Sequence, residues 1–283
     1  MPDTGLGQHL DWGTASTVNT SVGKVQSASL GKDSALVHRQ GVGAQDAIVG
    51  GALAPGGSAE FLVQSSALIA YAIRTGYTSP ALTALTLAGG TAGDARQQTG
   101  CKIDTLGLSC SNGEALQASI AWLALTDEAY TTAAQTYVSG ITFEWFTGVV
   151  TVAGSTWNTT SFGIDLANGL EHLYYMDSAP TNPKRLPKAI KIGSSTLTMR
   201  CDMLTRPDST THTDIYGDTL GITGSATFVL TGGTSGTQTM TITCSNLSRK
   251  SVAIPIVVGG ALVGYSMDFE AQMDSAHLTI NVT

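Results

Sequence analysis

Charge is scarce in this sequence. Only 12% of its 283 residues are Asp, Glu, Lys or Arg, against about 25% in an average soluble domain. Basic residues are the scarcer kind: 14 against 21 acidic, a net charge of −7. That excludes the basic footprint with which a protein neutralises nucleic-acid phosphates. Aromatics are 6%, too thinly spread for a stacking platform, with Trp12, Trp122, Trp145 and Trp157 far apart. No apolar run is long enough for a membrane helix. The longest uncharged apolar stretch, 252–267, is broken by Pro255 and Gly259-Gly260. The start, Met1-Pro2-Asp3-Thr4, has neither the basic residue nor the apolar run of a secretory leader. The four cysteines (Cys101, Cys110, Cys201, Cys244) form no C-x-x-C pair. With no leader, they are expected as buried thiols in a reducing compartment.

Catalytic signatures are missing as well. No glycine lies upstream of Gly23-Lys24 or Gly31-Lys32 at P-loop spacing, and Gly107-Leu108-Ser109-Cys110-Ser111 lacks the closing glycine of a nucleophile elbow. The five histidines (His9, His38, His172, His212, His277) never fall at metal-ligand spacing, and the acidic neighbours of His212 read as a solvated loop. Asp268 and Glu270 stand two apart on one strand face, as a catalytic pair could, but read as the wet face of a strand. The residues therefore predict no enzyme, no cofactor and no metal.

What the sequence does have is alternation. From Val263 to Met273 apolar and polar residues alternate, and so do Leu197 to Met203, Phe162 to Leu166, Met240 to Cys244 and Leu116 to Trp122. Period two means strands with one buried and one wet face. Gly259-Gly260 reads as a hairpin turn. Helix is expected at Ser66 to Thr75, and more weakly at Thr126 to Tyr137, where Asp127 and Glu128 suit a first turn. Segments 31–57 and 88–100, rich in Gly and Ala, read as loops, and 177–188 as a long exposed connection.

The two halves also rhyme. Gly57-Ser58 and Gly193-Ser194 each open a strand, and each half closes on a long alternating strand, Ala115 to Leu123 and Leu262 to Met273. Two β units result, 1–140 with an N-terminal arm and 141–283, which could act as one compact domain. The fold expectation is mainly β: antiparallel sandwich or barrel units, tandem-duplicated, with one or two short helices and long interaction loops.

Long strands, little charge and no chemistry point to a self-assembling structural subunit. The run Gln98-Thr99-Gly100-Cys101-Lys102-Ile103-Asp104-Thr105-Leu106-Gly107-Leu108-Ser109, followed by Gly113-Glu114-Ala115-Leu116-Gln117-Ala118-Ser119-Ile120, resembles a segment of the major tail tube proteins of long-tailed bacteriophages. Gly169-Leu170-Glu171, Leu186-Pro187-Lys188-Ala189-Ile190, the strand to Cys201, and Pro255 before a final strand continue the resemblance over about residues 50–283.

The resemblance implies a unit whose sheet joins its neighbours' sheets into an inner barrel, in stacked rings of six units forming the channel for DNA ejection. It implies as partners further copies of the chain, a tape-measure protein and tail terminator or baseplate proteins. Viral DNA would pass without specific binding. The location would be the virion tail, assembled in the bacterial host cytoplasm, with no membrane. A duplicated chain would need three copies for a pseudo-hexameric ring, an unduplicated one six; three is the expectation. Residues on polar strand faces (Asp268, Glu270, Gln272, Asp274, Asp165 and Asp202), all acidic except the neutral Gln272, are candidates to face the channel, where negative charge repels the DNA backbone. Basic residues there would need partners. Two alternatives stand beside this reading. One is another virion or filament part (baseplate hub, tail completion, head decoration), the other a jelly-roll carbohydrate-binding module or enzyme.

Overall fold

The computed structural model describes residues 9–14, 18, 20–39, 47–75, 81–91, 94–131, 140–152, 154–175, 185–203, 224–233, 236–253, 265–271 and 278–283. Its strands, in chain order, begin with β1 (His9–Gly13), β2 (Thr20–Ser21), β3 (Lys24–Arg39), β4 (Ala47–Leu62), β5 (Leu85–Thr91), β6 (Asp94–Ser111), β7 (Gln117–Leu123) and β8 (Thr126–Tyr130). Then follow β9 (Ile141–Val152), β10 (Ser155–Trp157), β11 (Thr159–Ala167), β12 (Leu170–Leu173), β13 (Ala189–Ile192), β14 (Thr196–Met203), β15 (Gly224–Gly233), β16 (Gln238–Ala253), β17 (Tyr265–Ala271) and β18 (Leu278–Val282). Every pairing is antiparallel, and apart from the small β12–β13 hairpin all the strands belong to one 16-stranded sheet.

Eight of these strands form a continuous wall in the order β3-β4-β7-β6-β11-β14-β17-β16. The alternation read from the sequence sets its two faces. Leu106, Ile120, Ile164, Leu166, Leu197, Met199, Met267 and Phe269 point into the core, together with Leu87 of β5, Val150 of β9 and Phe228 of β15. All four cysteines are free and buried. Burial pushes the thiols of Cys101, Cys110 and Cys244 up to about 12, and that of Cys201 up as well.

Before and after the β6–β11 junction the strands are wired alike. In the first network β1 pairs β2 and β5, β3 pairs β4, β4 pairs β7, and β6 pairs β5, β7 and β8. In the second, β9 pairs β10 and β15, β11 pairs β14, β14 pairs β17, and β16 pairs β15, β17 and β18. The irregularities coincide too. Against β5, β6 carries an extra residue between Gln98 and Cys101; against β15, β16 carries one between Cys244 and Leu247. These bulges hold Gly100 at φ 65° and Asn246 at φ 54°, the latter the only non-glycine residue with positive φ among those described. Further shifts match between Ile103/Thr105 and Arg249/Ser251, and between Val25/Ser27 and Thr159/Ser161. Aligned on these bulges, Trp122 corresponds to Phe269, Gln98 to Cys244 and Glu60 to Asp202.

Several sequence expectations need correction. Segments 31–57 and 88–100 are strand where described: β3 and β4 form a long hairpin, and β5 and β6 another. Their glycines mark close approach. A Cβ on Gly57 would lie 2.5 Å from the Trp122 ring and 2.2 Å from the Ser29 carbonyl oxygen, so only glycine lets the strand lie there. Gly57-Ser58 sits within β4 and does not open a strand.

Ser66 to Thr75 is one 3-10 turn, Ile69–Ala72. Leu68, Ile69 and Ala72 are buried, but Ile73 is extended and Arg74 is drawn into contacts of its own. Thr126 to Tyr130 is strand β8, because Asp127 is gripped by Arg96 of β6 through Nε and Nη2 at 2.7 and 2.8 Å. That fork, with Lys32 at 4.0 Å, compensates burial of the carboxylate. Residues 131–137 beyond it, the Gly259-Gly260 turn and most of 177–188 lie wholly or largely outside the described residues.

Candidate functional site

The wall has one face in the core; the other is polar and, among the described residues, partly to fully exposed. A row of residues in cross-strand register runs over all eight strands of it: Ser27, Glu60, Ser119, Gly107, Asp165, Thr198, Glu270 and Ser248. One row further along, Asp268 lies opposite Arg200, and next Asp202 lies opposite Ser161 and Ser266. The structure therefore brings Asp165, Asp202, Asp268 and Glu270 onto one face. Gln272 and Asp274 fall outside the described residues.

The face is mixed in sign. Arg200 Nε donates to Asp202 Oδ1 at 3.2 Å, and Lys250 Nζ lies 3.2 Å from Glu270 Oε2. Asp202 also accepts a hydrogen bond from Ser161 Oγ at 2.6 Å. Partial burial works against its ionisation, but bonds from Ser161, Ser266 and Arg200 outweigh it and hold the carboxyl below the usual range. Glu60 belongs to the same face: Ser27 Oγ donates to its Oε2 at 3.4 Å. Ser27 and Ser161 each follow the matching bulge, so one serine–carboxylate pair stands in both networks. Glu60 was missed in the sequence because only the bulge reveals which serine it faces.

Below the wall, two buried clusters fix its geometry. Gln98, 0% exposed, donates from Nε2 to the carbonyls of Gly31 and Gly56, both at 2.9 Å, and accepts from Trp122 Nε1 at 2.7 Å. This staples the β3–β4 hairpin to β6 and β7. Asn168, also 0% exposed, ends β11 and donates from Nδ2 to the carbonyls of Ala72 and Ile103. Arg74 Nε donates to its Oδ1 at 3.0 Å and Arg74 Nη2 to its carbonyl. The second network is thereby pinned onto the first at the junction.

Past the wall, the β3–β4 hairpin continues as a two-stranded ribbon, because β7 pairs β4 only over 56–62. Arg185 docks on it, donating from Nε to the Gly51 carbonyl at 2.6 Å and from Nη2 to Ser34 Oγ at 2.7 Å. No group of His, Cys, Asp or Glu suited to a metal occurs among the described residues. No helix there is long and apolar enough to cross a membrane.

The wall is thus long, polar on one face and made of two networks with one wiring. A family profile described as "Phage tail tube protein" matches residues 5–271, nearly the whole chain. This chain belongs to the phage tail tube protein family. Its place is the virion tail and its role structural. No curated protein matches it. Membership covers both networks, so β1 to β17 all fall within the tube-protein match.

Proposed function

We propose that this tail tube family member closes its wall with further copies of itself into a ring, and that stacked rings form the channel through which viral DNA is ejected. The observation that carries the reading is the wall itself. It is eight strands wide, made of two four-stranded patterns in the same order, with a polar outer face and, among the described residues, an open edge at each end. Open edges are aggregation hazards that closure removes. The polar face then looks into the channel, where carboxylates such as Glu60, Asp165, Asp202 and Asp268 keep the DNA backbone from sticking.

The repeated wiring supports a tandem duplication, 1–140 and 141–283, and with it a ring of three chains. The projecting β3–β4 ribbon suits contact between rings. Tape-measure, terminator and baseplate proteins would meet the ring stack, which would assemble in the host cytoplasm. No step of this reading is catalytic.

Electron microscopy of the concentrated, purified protein tests it. Hollow rods or rings with a mass of three chains are expected. True sixfold symmetry would sink the three-chain ring, and a strictly monodisperse monomer at high concentration would overturn the reading altogether.

A further inference from the structure

The junction inside the chain is a template for a junction between chains. β6 is paired on both sides through the wall: Thr105 to Ser109 meet β7, and Thr105 to Ser111 meet β11, with Thr105 opposite Ala167, Leu106 opposite Leu166 and Gly107 opposite Asp165. The matching segment of β16, Ser251 to Ala253, is paired with β17 alone among the described residues. The strand matching β11 is β3, and it pairs only with β4 among them. One half of a β6–β11 contact thus stands open at each end of the wall.

A second observation marks the same edge. At the internal junction the turn after β6 lies across the second network: Asn112 N–H donates to the Thr160 carbonyl at 2.8 Å, Leu116 N–H to Phe143 at 2.8 Å, and Trp145 N–H to Glu114 at 3.1 Å. In the first network the bulge residue matching Thr160 is Gln26, and the strand matching β9 is β1. There, in place of a packed turn, lies an open cleft of about 370 Å³ lined by His9, Gln26, Ala28, Gly89, Asp94 and Arg96.

We infer that the open edge of β16 pairs antiparallel with the open edge of β3 in a second copy of this chain, in the register of β6 on β11. Carried over through the bulges, that register sets Ser251 opposite Asp33, Val252 opposite Lys32 and Ala253 opposite Gly31. Both edges are used once per chain, so the contact is head-to-tail and closes a ring instead of stopping at a dimer. The cleft beside β3 receives the neighbouring copy's side of the junction. The inference rests on the self-association proposed above and adds which strands meet and in which register.

Paired cysteines test it, because residues directly opposite in antiparallel strands lie within disulfide reach, and the four native cysteines are buried. The variant Ser251→Cys/Asp33→Cys, oxidised after assembly, should run on denaturing gels as a covalent ladder ending at the closed ring and collapse to monomer on reduction. An equimolar mixture of the two single variants should stop at dimers. Thr105→Cys/Ala167→Cys, across the internal junction, should close within one chain. Rings visible by microscopy, a closed internal control and no cross-link at Ser251/Asp33 would overturn the register while leaving the tube reading intact. Absence of any ring would remove the tube reading itself, and this inference with it.

Discussion

The Gln98–Trp122 pair gives a quantitative test of how the two networks are related. Where the first has Gln98 and Trp122, 0% and 1% exposed, the second has Cys244 and Phe269. The second network packs the same position without that hydrogen bond. Gln98→Leu would strand the Trp122 N–H in the core and strip a donor from the Gly31 and Gly56 carbonyls. An orphaned buried donor costs about 1–3 kcal/mol and each lost carbonyl bond about 0.5–1 kcal/mol. The sum is about 3 kcal/mol, a fall in Tm of about 5 °C for a chain of this size. Trp122→Phe alone leaves the Gln98 amide oxygen unpaired and loses ring volume. In the double variant Gln98→Leu/Trp122→Phe no group of the pair is left unpaired, so the double should cost about 1–2 kcal/mol less than the sum of the singles. Urea unfolding of the unassembled chain measures all three. Strict additivity would refute the reasoning, because it would mean the two side chains contribute by packing alone.

Two further predictions follow from other parts of the molecule. His172 lies with Nε2 3.0 Å from the Ala124 carbonyl, and burial lowers its pKa below 6.5 despite the Ala124 and Pro55 carbonyls. Its contribution is therefore complete above pH 6.5 and lost as the pH falls through the lower folded value. His172→Gln should flatten the decline in Tm as the pH falls below 6.5, and an unchanged slope would assign that decline elsewhere. On the wall, Glu60→Lys/Asp202→Lys places a cation at the matching position of both networks. Virions built with it should assemble tubes but eject DNA several-fold more slowly at low salt, with partial recovery at high salt; normal ejection at low salt would show that this face does not line the channel.

The strands legible in the sequence were those with one bulky and one polar face. β7, β11, β14 and β17 alternate because a core side and a wet side demand it, and a slip of one residue would exchange them. The first hairpin was illegible for the opposite reason. Over 50–57 β4 is almost all Gly, Ala and Pro, and at Gly56 and Gly57 Trp122 and the facing strand lie where a side chain would go. Composition that reads as loop is there the mark of crowding. Thr126 to Tyr130 misled through local chemistry: Asp127 and Glu128 suit a helix start, but the Arg96 fork that decides the strand lies thirty-one residues away in sequence. Of the candidate face, Asp165, Asp202, Asp268 and Glu270 were legible from alternation, and Glu60 was not.

What the two networks share, and what they do not, follows one physical rule. Side-chain chemistry differs: Asp165 matches Gly31, Asp268 matches Ala121, and Arg200 matches Ser58. The three bulges do not, and neither does the serine–carboxylate pair set by one of them. A bulge inserts one residue and so decides which face every later residue of its strand presents. Losing a bulge would turn a core face outward over a whole strand, at a cost no single substitution could offset, whereas exchanging Gln98 and Trp122 for Cys and Phe only swaps one satisfied arrangement for another. The β6–β11 contact depends on the same bulges, so a chain that keeps them in both networks keeps both open edges in complementary register. In the proposed ring, the irregularities of the strands, more than any side chain on them, would be what lets the wall extend from one copy to the next.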